Sequence, residues 1–70
     1  MKYIRKDEYI INVEKCTHIK IDKWDECNWE LVFNNENDYM SLWYENKEEA
    51  RQDLMKIEVF ITDERSLLKL

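Results

Sequence analysis

The sequence predicts an α+β fold, an antiparallel meander of about four strands packed on one C-terminal helix. Two observations lead there. Before Asn46 the apolar runs mostly alternate with polar residues, the period of a half-buried strand. From Asn46, in NKEEARQDLMKIEVFI, apolar residues recur instead at the spacing of one helix face. A third observation sets the topology: the polar clusters between runs are too short for parallel crossovers, so neighbouring strands pair as hairpins.

The elements follow in order. Residues 2–6 suit a short first strand, and Asp7-Glu8 a turn. Residues 9–13, YIINV, form a second apolar run, with Glu14-Lys15 as a tight connection. From Cys16 to Trp24 the alternation is clean, with Thr17, Ile19, Ile21 and Lys23 on one face and His18, Lys20, Asp22 and Trp24 on the other. Asp25–Asn28 read as a turn. Trp29, Leu31 and Phe33 then share a face opposite Glu30 and Val32. NNEND, 34–38, is a loop, and YMSLWY, 39–44, a strand apolar on both sides. Ile19, Ile21, Leu31, Phe33 and Leu42 are the sheet residues expected in the core.

Asn46 is suited to cap the helix, with Glu49 completing an approximate capping box. Ala50, Leu54, Ile57 and Ile61 form the expected buried stripe over residues 47–61. Ile57, Val59 and Ile61 also alternate and are β-branched, so a further strand over KIEVFIT is the alternative. Residues 62–70 are expected to extend the helix or trail as a tail whose Leu67, Leu68 and Leu70 need a partner.

With 70 residues the chain is one domain, residues 1–70, whose core is a single thin layer. The hydrophobic fraction of 44% argues for folding rather than disorder. A formal net charge of −5 disfavours binding to nucleic acid or to anionic membrane. No signal-like h-region or long apolar stretch is present, so a cytoplasmic protein with reduced Cys16 and Cys27 is expected. Gly and Pro are absent, which leaves turns to Asn, Asp and Glu.

Chemistry finds little footing. Cys16, His18 and Cys27 are the soft metal ligands, with Cys16 and His18 on one strand face and Cys27 in the turn expected to lead back beside them. Structural zinc takes four ligands, so Asp25 or Glu26 would have to complete the set. Cys16 and His18 lie roughly 6–7 Å apart along a strand, too far for direct activation of the thiol. No phosphate loop or oxyanion turn is present, so no catalytic residues, metal or cofactor are expected. The aromatics are more informative. Trp24, Val32, Tyr39 and Trp43 are expected on the sheet face away from the helix, an apolar patch where water would otherwise lie.

The order carried by Tyr9–Asn12, Ile19, Ile21, Leu31, Phe33, Glu48–Ala50, Leu54 and Ile57 resembles small uncharacterised proteins of similar length, common in Firmicutes and their phages. The resemblance implies a four-strand-plus-helix form and a phage or mobile-element context, and it brings no catalytic residues. The expected function is therefore a non-enzymatic protein-interaction module working through the aromatic face or an edge strand, with a homodimer as the first partner. The alternatives are a small-ligand or metal-binding module in the Cys16/His18/Cys27 region, or an acidic nucleic-acid mimic that inhibits a host or defence protein.

Overall fold

The computed structural model describes every residue from Met1 to Leu70. The chain forms β1 (Tyr3–Lys6), β2 (Tyr9–Asn12), a 3-10 turn (Val13–Lys15), β3 (His18–Lys23), β4 (Trp29–Asn34), β5 (Tyr39–Tyr44), α1 (Lys47–Thr62) and β6 (Leu67–Lys69). The α+β class and the helix hold, but the strand count and the arrangement of sheets differ from expectation. Six strands make two three-stranded sheets, ordered β2-β1-β6 and β3-β4-β5. The second is the antiparallel meander, with β4 central, and α1 lies across its inner face. The first pairs β1 with β2 antiparallel and with β6 parallel. Residues 67–69 are thus a strand, not a tail: Leu68 stands opposite Ile4. Residues 56–62 remain helical. No helix is long and apolar enough to cross a membrane.

Asn and Asp side chains supply the punctuation that Gly and Pro would give elsewhere. Asp25 accepts from the backbone N–H groups of Cys27 and Asn28, both at 2.8 Å, and closes the β3–β4 turn. The bond from the Cys27 N–H first, and those from the Asn28 side-chain amide second, hold its carboxyl below the usual range. Asn35 does the same for the β4–β5 loop, accepting from Asn37 and Asp38. Asn46 caps α1 by accepting from the N–H of Glu49 at 2.8 Å, as the sequence predicts. Asp7 takes φ 53° in the two-residue β1–β2 turn, a left-handed conformation that Asp tolerates better than most residues.

One core serves both sheets. Leu31, Phe33 and Leu42 are buried as expected, and Ile19 and Ile21 pack half-buried at its edge. Ile4, Ile11 and Leu68 form a row across the first sheet and join the same cluster. The helix is rotated from the expected stripe. Ala50, Asp53, Ile57 and Phe60 are its buried residues, whereas Leu54 is half-buried and Ile61 exposed. Residues 53 and 54 differ by about 100° around a helix. Burying the Phe60 ring fills more volume than Ile61 would, and the same rotation turns Asp53 inward.

The inward Asp53 is held from both sheets. Its Oδ2 accepts from the Tyr44 hydroxyl and from Lys6 Nζ, each at 2.6 Å. Lys6 Nζ also stands 4.2 Å from the centre of the Tyr44 ring. Burial first, and the Asp53 hydrogen bond second, push the Tyr44 phenol above its ordinary pKa. At the other end of α1, Lys2 Nζ donates to the carbonyls of Phe60, Asp63 and Arg65 at 2.6–2.8 Å. It adds a second donor to the helix-end carbonyl of Phe60, which also accepts from the Asp63 N–H, and places a cation at the negative end of the dipole.

Candidate functional site

Antiparallel strands send alternate side chains to opposite faces, so α1 can cover only one side of the meander. The outer face is set by register. His18, Asn34 and Tyr39 lie across one end, Lys20, Val32 and Ser41 across the middle, and Asp22, Glu30 and Trp43 beyond them. Trp24 follows β3 and turns onto this face, where its ring meets that of Trp43 edge-on at 4.7 Å and 67°.

Three of the four expected surface residues present themselves there: Trp24 is 58% exposed, Trp43 52% and Tyr39 65%. Val32 lies on the expected face but is only 5% exposed, because it sits on the central strand beneath neighbours from both sides. It supports the surface and offers little contact of its own. The aromatic residues do not form one patch. Trp24 and Trp43 meet at one end and Tyr39 stands at the other. Between them run the Lys20–Asp22 ion pair at 3.2 Å and Glu30, which accepts a long 3.4 Å bond from Ser41 Oγ. Asn34, beside Tyr39, has its amide nitrogen out of water with no hydrogen-bond partner. Alternation found the face; the division into two aromatic ends and a charged middle needed the register.

The Cys16/His18/Cys27 grouping is not assembled. Cys27 is in the turn that follows β3, while Cys16 and His18 stand at the strand's beginning. Five strand steps from His18 to Lys23 separate the ends by roughly 16–17 Å. The turn therefore carries Cys27 away from the pair, and no group of three or more His, Cys, Asp or Glu side chains is placed to hold a metal ion.

Cys16 and His18 instead border an open groove of about 540 Å³ between the start of β3 and the C-terminal half of α1. Val13, Ile19, Leu54 and Ile61 line it, with Glu58 on its rim. Burial pushes the Cys16 thiol up, so at neutral pH it is a protonated SH, and its Sγ lies 3.6 Å from the Asn12 carbonyl oxygen. That removes the activated thiolate that a Cys nucleophile needs. The groove escaped the sequence reading because it arises from helix rotation: Leu54 and Ile61, expected in the core, became its wall.

Comparison with known proteins gives no further guide: no family model matches, and no curated protein or solved structure is similar to the chain.

Proposed function

We propose that this protein is a small non-enzymatic interaction module that receives another protein surface on the outer face of its meander. The observation that carries this is the exposed Trp24–Trp43 pair on a face that α1 leaves uncovered. Trp and Tyr bring large rigid area at little cost in conformational freedom, and they dominate the energetics of protein contacts. Tyr39 at the other end adds a second exposed aromatic anchor. The intervening Lys20, Asp22 and Glu30 supply the polar ground that gives such a contact its register. A second copy of the chain is the first occupant to test. In the phage or mobile-element context that the resemblance implies, a host or defence protein is the other.

Trp43→Glu is the test. Trp43 is more than half exposed, so the variant is expected to keep its circular dichroism. It is expected to lose whatever association the parent makes through this face, read by sedimentation or by binding. An unfolded variant would make Trp43 a core residue, and unchanged association would move the contact elsewhere.

The groove beside Cys16 and His18 favours a second reading, a small apolar ligand. Its volume lies within the range of ligand sites, about 300–1,000 Å³.

A further inference from the structure

The outer edge of β3 is unpaired. β3 bonds to β4 on one side only, and no backbone group of His18–Lys23 takes part in a hydrogen bond outside the strand ladder. The strand is six residues long and contains no Pro. The other edge of the meander differs. β5 is flanked by the β1–β2 hairpin: Ile10 and Asn12 border one hollow with Tyr39 and Met40, and Lys6 lies over the Tyr44 ring. Beside the start of β3 lies the open groove. Proteins usually blunt such an edge, because it is a template for another strand.

The sequence of β3, HIKIDK, decides which strand fits. We propose that the edge receives a second copy of itself, antiparallel about a two-fold axis at Ile21, joining the two meanders into one six-stranded sheet. A two-fold axis perpendicular to the sheet keeps each face on its own side, so it must pass through a residue rather than between two. An axis at Lys20 would set Lys20 against itself, and one at Asp22 would do the same for that carboxylate. An axis at Ile19 puts His18 opposite Lys20 and uses only the start of the strand. At Ile21, Lys20 faces the partner's Asp22 and Asp22 faces the partner's Lys20, while Ile21 meets its own copy on the inner face. That register alone makes two opposite-charge pairs and no like-charge pair.

The same register sets the partner's Lys23 opposite Ile19, at the mouth of the groove. A long apolar stem ending in an ammonium suits a trough lined by Leu54 and Ile61 with Glu58 on its rim. The exposed Lys20–Asp22 pair within one strand is then the monomer's form of a four-charge cluster shared by two. This contact is the edge of the sheet whose face carries the proposed function, and it does not depend on the aromatic contact.

Charge swaps test it. Lys20 and Asp22 are about half exposed, so both can be replaced without disturbing the core. The parent is expected to sediment as a concentration-dependent dimer. Lys20→Asp alone puts carboxylates opposite each other on both sides of the axis, and Asp22→Lys alone does the same with ammonium groups. Each is expected to weaken the dimer by about tenfold or more. Mixing the two variants restores complementarity across the axis and is expected to return a heterodimer. For register, Ile21→Cys in a Cys16→Ser, Cys27→Ser background is expected to oxidise to a covalent dimer, since opposed residues have Cα atoms about 4.5–5.5 Å apart. Ile19→Cys is expected not to. A parent that stays monomeric, a dimer indifferent to both swaps, no recovery on mixing, or equal cross-linking at Ile19 would each overturn the proposal. Trp43→Glu leaves this edge dimer intact. A dimer lost in Trp43→Glu and kept in both charge variants would leave the aromatic-face reading standing alone.

Discussion

The two sheets close in different ways. The meander needs only two hairpins, and its central strand buries Leu31 and Phe33 beneath a helix that follows directly in the chain. The other sheet has one hairpin, and its third strand returns from the far end of the chain to lie parallel to β1. Short-range closure fixes few residues before contacts form, whereas β6 can dock only after α1 has carried the chain across. Lys2 and Lys6 sit at that joint, one on the carbonyls that end α1 and the other on Asp53 in its middle. The meander is therefore the more autonomous half, and the first sheet depends on the helix for its third strand.

The largest effect is expected where the halves share a residue. Phe60 is fully buried on α1 and joins residues of both sheets in one cluster. Phe60→Ala is expected to cost about 3–5 kcal/mol in denaturant unfolding, much of the stability of a domain this size. Leu68→Ala removes a buried residue from the dependent half alone and is expected to cost about 2–3 kcal/mol. Amide exchange separates the two cases. In Leu68→Ala, β1 and β6 are expected to lose protection while β4 keeps it. Equal loss in β4 would show that the sheets open as one unit.

The next effect concerns the polar bridge between the halves. Asp53→Ala leaves Lys6 and the Tyr44 hydroxyl without their acceptor, at an expected cost of about 2–3 kcal/mol. The bridge also predicts a pH dependence. Because the Tyr44 phenol is raised above its ordinary pKa of about 10, its contribution is complete below that pH and declines as pH rises above it. The slope from this one proton is at most about 1.4 kcal/mol per pH unit. Tyr44→Phe has no phenol to ionise, so the difference between parent and variant is expected to shrink steadily above pH 10. A constant difference would mean that the phenol ionises as it does in the unfolded chain.

How far each half could be read from sequence follows the same division. YMSLWY gives β5 with its bounds unchanged at Tyr39–Tyr44, and Asn46 marks the start of α1, because alternation and capping are local signals. β6 has three residues, too few for a period, and its partner strand is more than sixty positions away. Asp53 was hidden for a related reason. A hydrophobic pattern counts it as surface, and the residues that compensate its burial, Lys6 and Tyr44, lie on other elements. The outer aromatic face was legible from alternation, but the burial of Val32 at its centre depends on both flanking strands.

Helix rotation gives a smaller test within α1. Leu54 is half-buried against the core and Ile61 exposed at the groove. Leu54→Ala is expected to cost about 1–2 kcal/mol, below the range for a fully buried leucine, and Ile61→Ala no more than about 0.5. Equal costs at both positions would restore the stripe that simple periodicity predicts and displace Asp53 from its inward position.

The smallest expected effect belongs to the cysteines. They lie at opposite ends of β3, Cys16 half-buried beside the Asn12 carbonyl and Cys27 exposed in the turn closed by Asp25. Neither is disulfide-bonded. In the turn, the bonds to Asp25 come from the backbone N–H of Cys27, which any residue but Pro supplies. At position 16, a serine hydroxyl keeps a donor for the Asn12 oxygen and loses only a small buried sulfur. Cys16→Ser with Cys27→Ser is therefore expected to melt cooperatively with a loss below about 1 kcal/mol. Alkylation of the parent should modify Cys27 first, because burial both screens Cys16 and keeps its thiol protonated. A collapsed double variant, or a parent whose fold is strengthened by added zinc, would show that the two ends of β3 are bridged in solution and would revive a metal role.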